Sequence, residues 1–141
     1  MVREEKCIVV DIDGTLCPVK GSSEEYESLC PYEHMLEKLR EYKEAGYYII
    51  LYTSRNMRTY GGNMGLIMAN TAKSTLGWLD RHGVPYDEIH FGKPWASKVG
   101  FYVDDRAVRP DEFLSMSREQ IEILLAPKTV PATKTRRAAG D

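Results

Sequence analysis

Four places in this sequence carry residue types that could do chemistry together. Asp11 and Asp13 stand two residues apart in Cys7-Ile8-Val9-Val10-Asp11-Ile12-Asp13-Gly14-Thr15-Leu16. Thr53-Ser54-Arg55 ends a second apolar run, Lys93 precedes Pro94, and Asp104-Asp105 follows Phe101-Tyr102-Val103. Two carboxylates so close repel each other without a cation, and Mg²⁺ suits hard oxygen ligands. Phosphoryl transfer needs an oxygen nucleophile, a proton donor and acceptor, countercharge for the phosphoryl oxygens, and a metal. Asp11, coming directly off its strand, is the better candidate to attack phosphorus and form an aspartyl-phosphate. Asp13 could protonate the leaving alcohol and then activate water. Thr53 offers a hydroxyl and Lys93 a positive charge to the transferred group. Asp104, with Asp105 beside it, would complete a Mg²⁺ shell with Asp11 and the backbone carbonyl of Asp13.

The elements that must position these residues alternate between strand and helix. Residues 6–11 read as a buried strand, because β-branched residues run without polar interruption. Residues 14–32 are irregular, with Pro18, Gly21, Ser22, Ser23 and Pro31, and read as a polar, mobile loop or small hairpin. Since it begins at the aspartates, the stretch of about residues 16–32 is expected to act as a flap. Residues 34–45 form an amphipathic helix with Met35, Leu36, Leu39 and Tyr42 on one face, and Gly46 suits its C-terminal cap. Residues 47–52 read as a strand buried on both faces. One long helix is expected over about 64–81, closed by His82-Gly83. A third strand is expected over 86–91 and a fourth over 100–103. Arg109-Pro110-Asp111 opens a last helical region, with a capping-box pattern at Ser117-Arg118-Glu119-Gln120. The alternation implies an α/β fold: a three-layer, Rossmann-like, doubly wound parallel sheet whose strand ends converge on one edge.

The order of these residues resembles the four motifs of the haloacid dehalogenase-like (HAD) phosphohydrolase superfamily. The resemblance rests on Asp11-x-Asp13-Gly14-Thr15, Thr53, Lys93 before a proline, and Asp104-Asp105, and spans residues 7 to about 106. It implies that Asp11 is the nucleophile, Asp13 the acid/base, Thr53 and Lys93 the phosphate binders and Asp104 a Mg²⁺ ligand. It also implies a strand order of 3-2-1-4. Gly14, Thr15, Ser54, Arg55 and Arg58 join the expected phosphate- or substrate-binding set, and the expected metal set is Asp11, Asp13, Asp104 and Asp105. The short intervals between motifs leave room for a minimal cap or none, so a homo-oligomer is expected. Residues 51–58 and 90–95 are similar to small phosphatases encoded with capsule and surface-polysaccharide genes (the BcbF-like group). That similarity implies a small phosphorylated substrate such as a sugar phosphate.

Composition narrows the alternatives. The 141 residues are 43% hydrophobic and 28% charged, as expected of a single globular domain. The domain is expected over residues 1–126, with residues 127–141 as a flexible tail containing the basic Lys134-Thr135-Arg136-Arg137. A net charge of −2 gives no argument for nucleic acid and counts against a polynucleotide phosphatase. A receiver-like phospho-accepting signalling domain would place its acidic pair first, whereas here Asp104-Asp105 comes last. Asp13 favours phosphate esters over dehalogenation. Arg55 and Arg58 could bind an anionic substrate, and the competing expectation is a solvated loop or a salt bridge to Glu24, Glu25 or Glu27. Cys7, Cys17 and Cys30 form no metal pattern and suggest free thiols in a reducing compartment. With no apolar run long enough for a membrane and no secretory h-region, a cytoplasmic protein is expected.

Overall fold

The computed structural model describes residues 6–128. The chain divides into two compact units, Met1–Phe101 and Tyr102–Asp141. The basic stretch expected to be a flexible tail lies outside the described residues.

The first unit is built on three parallel strands: β1 (Cys7–Asp11), β2 (Tyr48–Thr53) and β3 (Glu88–Phe91). Parallel neighbours cannot be joined by a tight turn, so helices fill the connections. Helix α1 (Glu33–Glu44) joins β1 to β2. Between β2 and β3 run α2 (Met64–Ile67), a π-helical turn (Met68–Ala72) and α3 (Lys73–Arg81). The chain is thus an α/β protein with a parallel sheet. Residues expected as one regular helix over 64–81 are interrupted by the π turn. Such turns insert a residue into the ladder and re-aim the side chains that follow.

Burial follows the strand positions. β2 pairs on both sides and buries Ile49, Ile50 and Leu51, as the sequence led us to expect, and Thr53 at its end is buried as well. Among the described residues β1 pairs only with β2, and Val9 is 61% exposed. The expectation of a buried strand is therefore corrected: an apolar run gives strand propensity, but neighbours decide burial. Helix α1 buries the four residues expected, Met35, Leu36, Leu39 and Tyr42. Gly46 follows it at φ +91°, a left-handed conformation that suits glycine and that ends the helix.

The expected fourth strand is absent. Residues 100–103 form no ladder, and Phe101 and Val103 are 79% and 88% exposed. Aromatic and β-branched content describes a side chain that fits a pleated surface, and without a hydrogen-bonded neighbour it makes no strand. In the second unit the last helical region is two helices, α4 (Pro110–Ser115) and α5 (Arg118–Leu124). Proline at the start of α4 suits a position whose N–H needs no helical partner. The capping box of α5 forms as its sequence indicates: Gln120 N–H donates to Ser117 Oγ at 3.1 Å, and Ser117 N–H to Gln120 Oε1 at 2.8 Å. No helix among the described residues is long and apolar enough to cross a membrane.

Asp87 ties the entry of β3 to β2. Its carboxylate accepts from Ile49 N–H at 2.9 Å and pairs with Lys43 at the end of α1, while its own N–H donates to Ile49 O at 2.8 Å. Partial burial raises the Asp87 carboxyl, but the Ile49 N–H and the Lys43 ammonium together outweigh it and hold the group below the usual range. A depressed folded value gives stability that is present above the unfolded value of about 4 and is lost as pH falls through the folded one. Asp87→Ala is expected to cost about 1–3 kcal/mol at neutral pH, because a buried N–H loses its acceptor. It should also flatten the acid side of the stability curve. Urea denaturation of both proteins across the acid range checks this, and parallel curves would refute it.

Candidate active site

The sheet register delivers the chemistry-bearing residues to one edge. Asp11 is level with Tyr52, and Thr53 with Phe91, so the carboxyl ends of the three strands lie side by side. Lys93 is held just past β3 by its own N–H, which donates to Thr53 O at 3.0 Å. Open parallel sheets bind ligands at this edge.

Asp11 faces Lys93. Lys93 Nζ lies 3.3 Å from Asp11 Oδ1, and Thr15 Oγ1 lies 3.5 Å from Oδ2, at the limit of a hydrogen bond. Both side chains of the ion pair are only partly exposed. Burial pushes the Asp11 carboxyl above its usual range, and the nearby Lys93 charge only partly offsets that.

Asp13 is held differently. Ile12 O accepts the N–H groups of Thr15 at 3.1 Å and Leu16 at 2.8 Å, closing a tight turn. Gly14, at φ +83°, carries the chain through that turn, and its N–H donates to Cys17 O at 2.8 Å. The turn presents the Asp13 carboxylate to Arg55. Arg55 Nε donates to Oδ2 at 2.9 Å and Nη2 to Oδ1 at 3.0 Å. This is a two-pronged pair in which planar guanidinium matches carboxylate. The Arg55 side chain is fully buried, and that of Asp13 is 22% exposed.

The surroundings of Arg55 account for its placement. Its Nη1 donates to Thr75 Oγ1 of α3 at 3.3 Å. Its guanidinium lies 4.3 Å from the Tyr26 ring centre and 5.7 Å from that of Trp78. Its backbone N–H donates to Thr53 Oγ1 at 3.1 Å. That bond occupies a lone pair of the buried hydroxyl but leaves its proton to donate. Next in the chain, Asn56 adopts φ +61°, a left-handed conformation that asparagine tolerates better than most residues. Its amide donates to Thr71 Oγ1 at 2.7 Å. Thr71 lies in the π turn and Thr75 just after it, so this irregular helix grips the loop that carries Arg55.

These contacts revise two sequence expectations. The sequence suggests that Arg55 reaches the substrate, with a solvated loop or a salt bridge to Glu24, Glu25 or Glu27 as the competing expectation. The structure places it beneath Asp13, closed off from solvent. The stretch of residues 16–32, expected to be a mobile flap, is anchored at its two ends, while residues 22–25 between them are exposed. Leu16, Cys17 and Leu29 are buried, Trp78 Nε1 donates to Leu29 O at 2.8 Å, and Tyr32 N–H donates to Leu16 O at 2.7 Å. Tyr26, in a 3₁₀ turn of this stretch, covers the Arg55 guanidinium.

The remaining expected residues divide by position. Ser54 is half-buried at the end of β2, where its carbonyl accepts from Met57 N–H at 3.0 Å. Arg58 is exposed and stacks on Trp95 at 5.4 Å. Asp104 and Asp105 belong to the second unit, where Asp104 accepts from Arg106 N–H at 2.9 Å. Cys17 touches Asp13 Oδ1 at 3.6 Å, and burial, then the Asp13 charge, push its thiol up to about 12. A thiol so reluctant to ionise is a poor nucleophile. Tyr26, Asn56, Thr71 and Thr75 were not recognised as site residues. Only Asn56 left a signal, as a residue that accepts left-handed backbone in a loop.

Among the described residues, no three His, Cys, Asp or Glu side chains gather as a metal cage. Mg²⁺ needs no such cage, because it keeps several waters and commonly takes one or two carboxylates plus substrate oxygens. The Asp11 carboxylate and the Asp13 backbone carbonyl are donors of that kind.

The two ion pairs predict different responses to truncation. Asp13→Ala leaves a buried guanidinium without its carboxylate and is expected to cost about 3 kcal/mol or more. Asp11→Ala removes a carboxylate whose burial is unfavourable and leaves a partly exposed lysine, so it is expected to cost less than about 1 kcal/mol. Urea denaturation of both variants checks the order, and equal losses would contradict it.

No protein-family model matches the chain, and neither does any curated protein. It is similar to a crystal structure of a structural-genomics target from Vibrio cholerae. The two share 50% sequence identity and superpose with a TM-score of 0.81, over 85% of this chain and 96% of that one.

Proposed function

We propose a phosphomonoesterase activity for this chain, which belongs to one family with that Vibrio cholerae protein. The proposed reaction is hydrolysis through an aspartyl-phosphate, of the haloacid dehalogenase-like kind. One observation carries the reading: Lys93 Nζ lies 3.3 Å from Asp11 Oδ1, while Asp13, two residues on, is held by Arg55 instead. The two carboxylates therefore have separate environments, as separate roles require.

In the proposed first step an Asp11 carboxylate oxygen attacks phosphorus. The bond from phosphorus to the leaving oxygen breaks, and Asp13 supplies the proton that oxygen needs. In the second step Asp13 takes a proton from water as the water oxygen attacks the phosphorus of the aspartyl-phosphate. Phosphate leaves and Asp11 is restored. Lys93 and the Thr53 hydroxyl offset charge on the phosphoryl oxygens. Mg²⁺ is the proposed cofactor: the Asp11 carboxylate and Asp13 carbonyl would hold it, and it would supply countercharge at the phosphoryl group. The motif resemblance favours a small phosphorylated metabolite, such as a sugar phosphate of surface-polysaccharide synthesis. Arg58 on Trp95 offers an exposed positive charge for the remainder of such a substrate.

Asp11→Asn removes the nucleophile and is expected to abolish hydrolysis of an aryl phosphate by protein supplied with Mg²⁺. EDTA is expected to abolish it in the parent protein. Parent-like turnover by the variant would remove Asp11 from the role, and full turnover in EDTA would remove the metal.

A further inference from the structure

We propose that Arg55 is a positioning residue for Asp13, fixing its carboxylate so that Oδ2 is the oxygen that transfers the proton. The inference rests on the phosphomonoesterase reading and adds a residue to it. Asp13 Oδ1 accepts from Arg55 Nη2 at 3.0 Å and from the Cys17 thiol at 3.6 Å. Oδ2 accepts only from Arg55 Nε, at 2.9 Å, among the described contacts. A carboxylate oxygen has two acceptor sites, so Oδ2 keeps one for a proton.

Arg55 cannot serve the substrate directly, because its side chain is fully buried. Each edge of its guanidinium is committed. Nε and Nη2 go to Asp13, Nη1 goes to Thr75 Oγ1 at 3.3 Å, and the Tyr26 ring covers it at 4.3 Å. The backbone on either side is also fixed, by the Arg55 N–H to Thr53 Oγ1 and by the Asn56 amide to Thr71 Oγ1. A planar fork anchored at this many points sets the plane of the carboxylate it binds. Proton transfer depends on donor and acceptor being held within hydrogen-bond reach in the right orientation.

In the first step, Oδ2–H gives its proton to the leaving oxygen, which keeps the electron pair of the breaking bond to phosphorus. In the second, Oδ2 takes a proton from the attacking water, and the electron pair of the breaking bond returns to Asp11. Misplacing Oδ2 must therefore hurt an ester whose leaving group needs a proton more than one whose leaving group does not.

The test compares an alkyl phosphate, glycerol 2-phosphate, with an aryl phosphate, p-nitrophenyl phosphate. The measured quantity is kcat/KM, which reports the first step. Arg55→Lys keeps the charge but loses the fork. It is expected to lower kcat/KM about 100-fold on the alkyl ester and less than about tenfold on the aryl ester, matching the leaving-group bias of Asp13→Asn. Acid-quenched Arg55→Lys protein should also accumulate aspartyl-phosphate during aryl ester turnover, because the water step slows. Thr75→Val removes one anchor of the fork without touching its charge, and should show the same bias at smaller size, whether or not Arg55→Lys folds. Equal losses on both esters overturn the proposal and leave the phosphatase reading intact. So does a raised KM with unchanged kcat, the signature of a substrate-binding arginine. A parent protein that hydrolyses neither ester overturns the phosphatase reading, and the proposal with it.

Discussion

The Arg55–Asp13 pair is the constraint around which the first unit is arranged. A guanidinium with no exposed side-chain surface cannot stay unpaired, because moving such a charge out of water is costly unless a carboxylate and further acceptors meet it. The fold supplies all of these from distant parts of the chain. Asp13 comes from the turn after β1, Thr75 from α3, Tyr26 from the segment before α1, and Trp78 closes the back. Each element is useful to the pair only if the others are already in place. The pair therefore marks a point where local pieces are locked into one arrangement.

That arrangement divides the two aspartates by rigidity. Asp13 sits on a two-pronged clamp with distances of 2.9 and 3.0 Å, whereas Asp11 meets Lys93 through one contact at 3.3 Å. The irregular helix between β2 and β3 serves this division. Its π turn and the residues after it bring Thr71 and Thr75 onto the loop carrying Arg55 and Asn56.

The sheet explains why these side chains meet at all. β2 is paired on both sides and buried through Ile49, Ile50 and Leu51, so it acts as the fixed reference for its neighbours. Parallel pairing puts the ends of β1, β2 and β3 on one edge. Asp11, Thr53 and Lys93 are brought together by that register and by no nearness in the chain. The same logic accounts for Asp87, which joins the start of β3 to β2 and to the end of α1.

The residues with local signals were legible in the sequence. The apolar spacing of Met35, Leu36, Leu39 and Tyr42 set the buried face of α1, Gly46 its end, and Ser117 with Gln120 the start of α5. Such features depend on residues within a turn or two of each other, so the chain carries them without help. The alternation of strand and helix, and the polar residues just past each strand, were local in the same sense. Tertiary structure alone decided what each of those residues touches. The exposure of Val9 and the absence of a strand over residues 100–103 depend on which neighbours pair, which no apolar run specifies. Arg55 is the clearest case. Its type and place in the sequence suit an arginine reaching for an anionic ligand, but its burial turned it inward to an aspartate 42 residues earlier in the chain. Charge is written in the sequence, but the partner that satisfies it is set by the desolvation that only packing imposes.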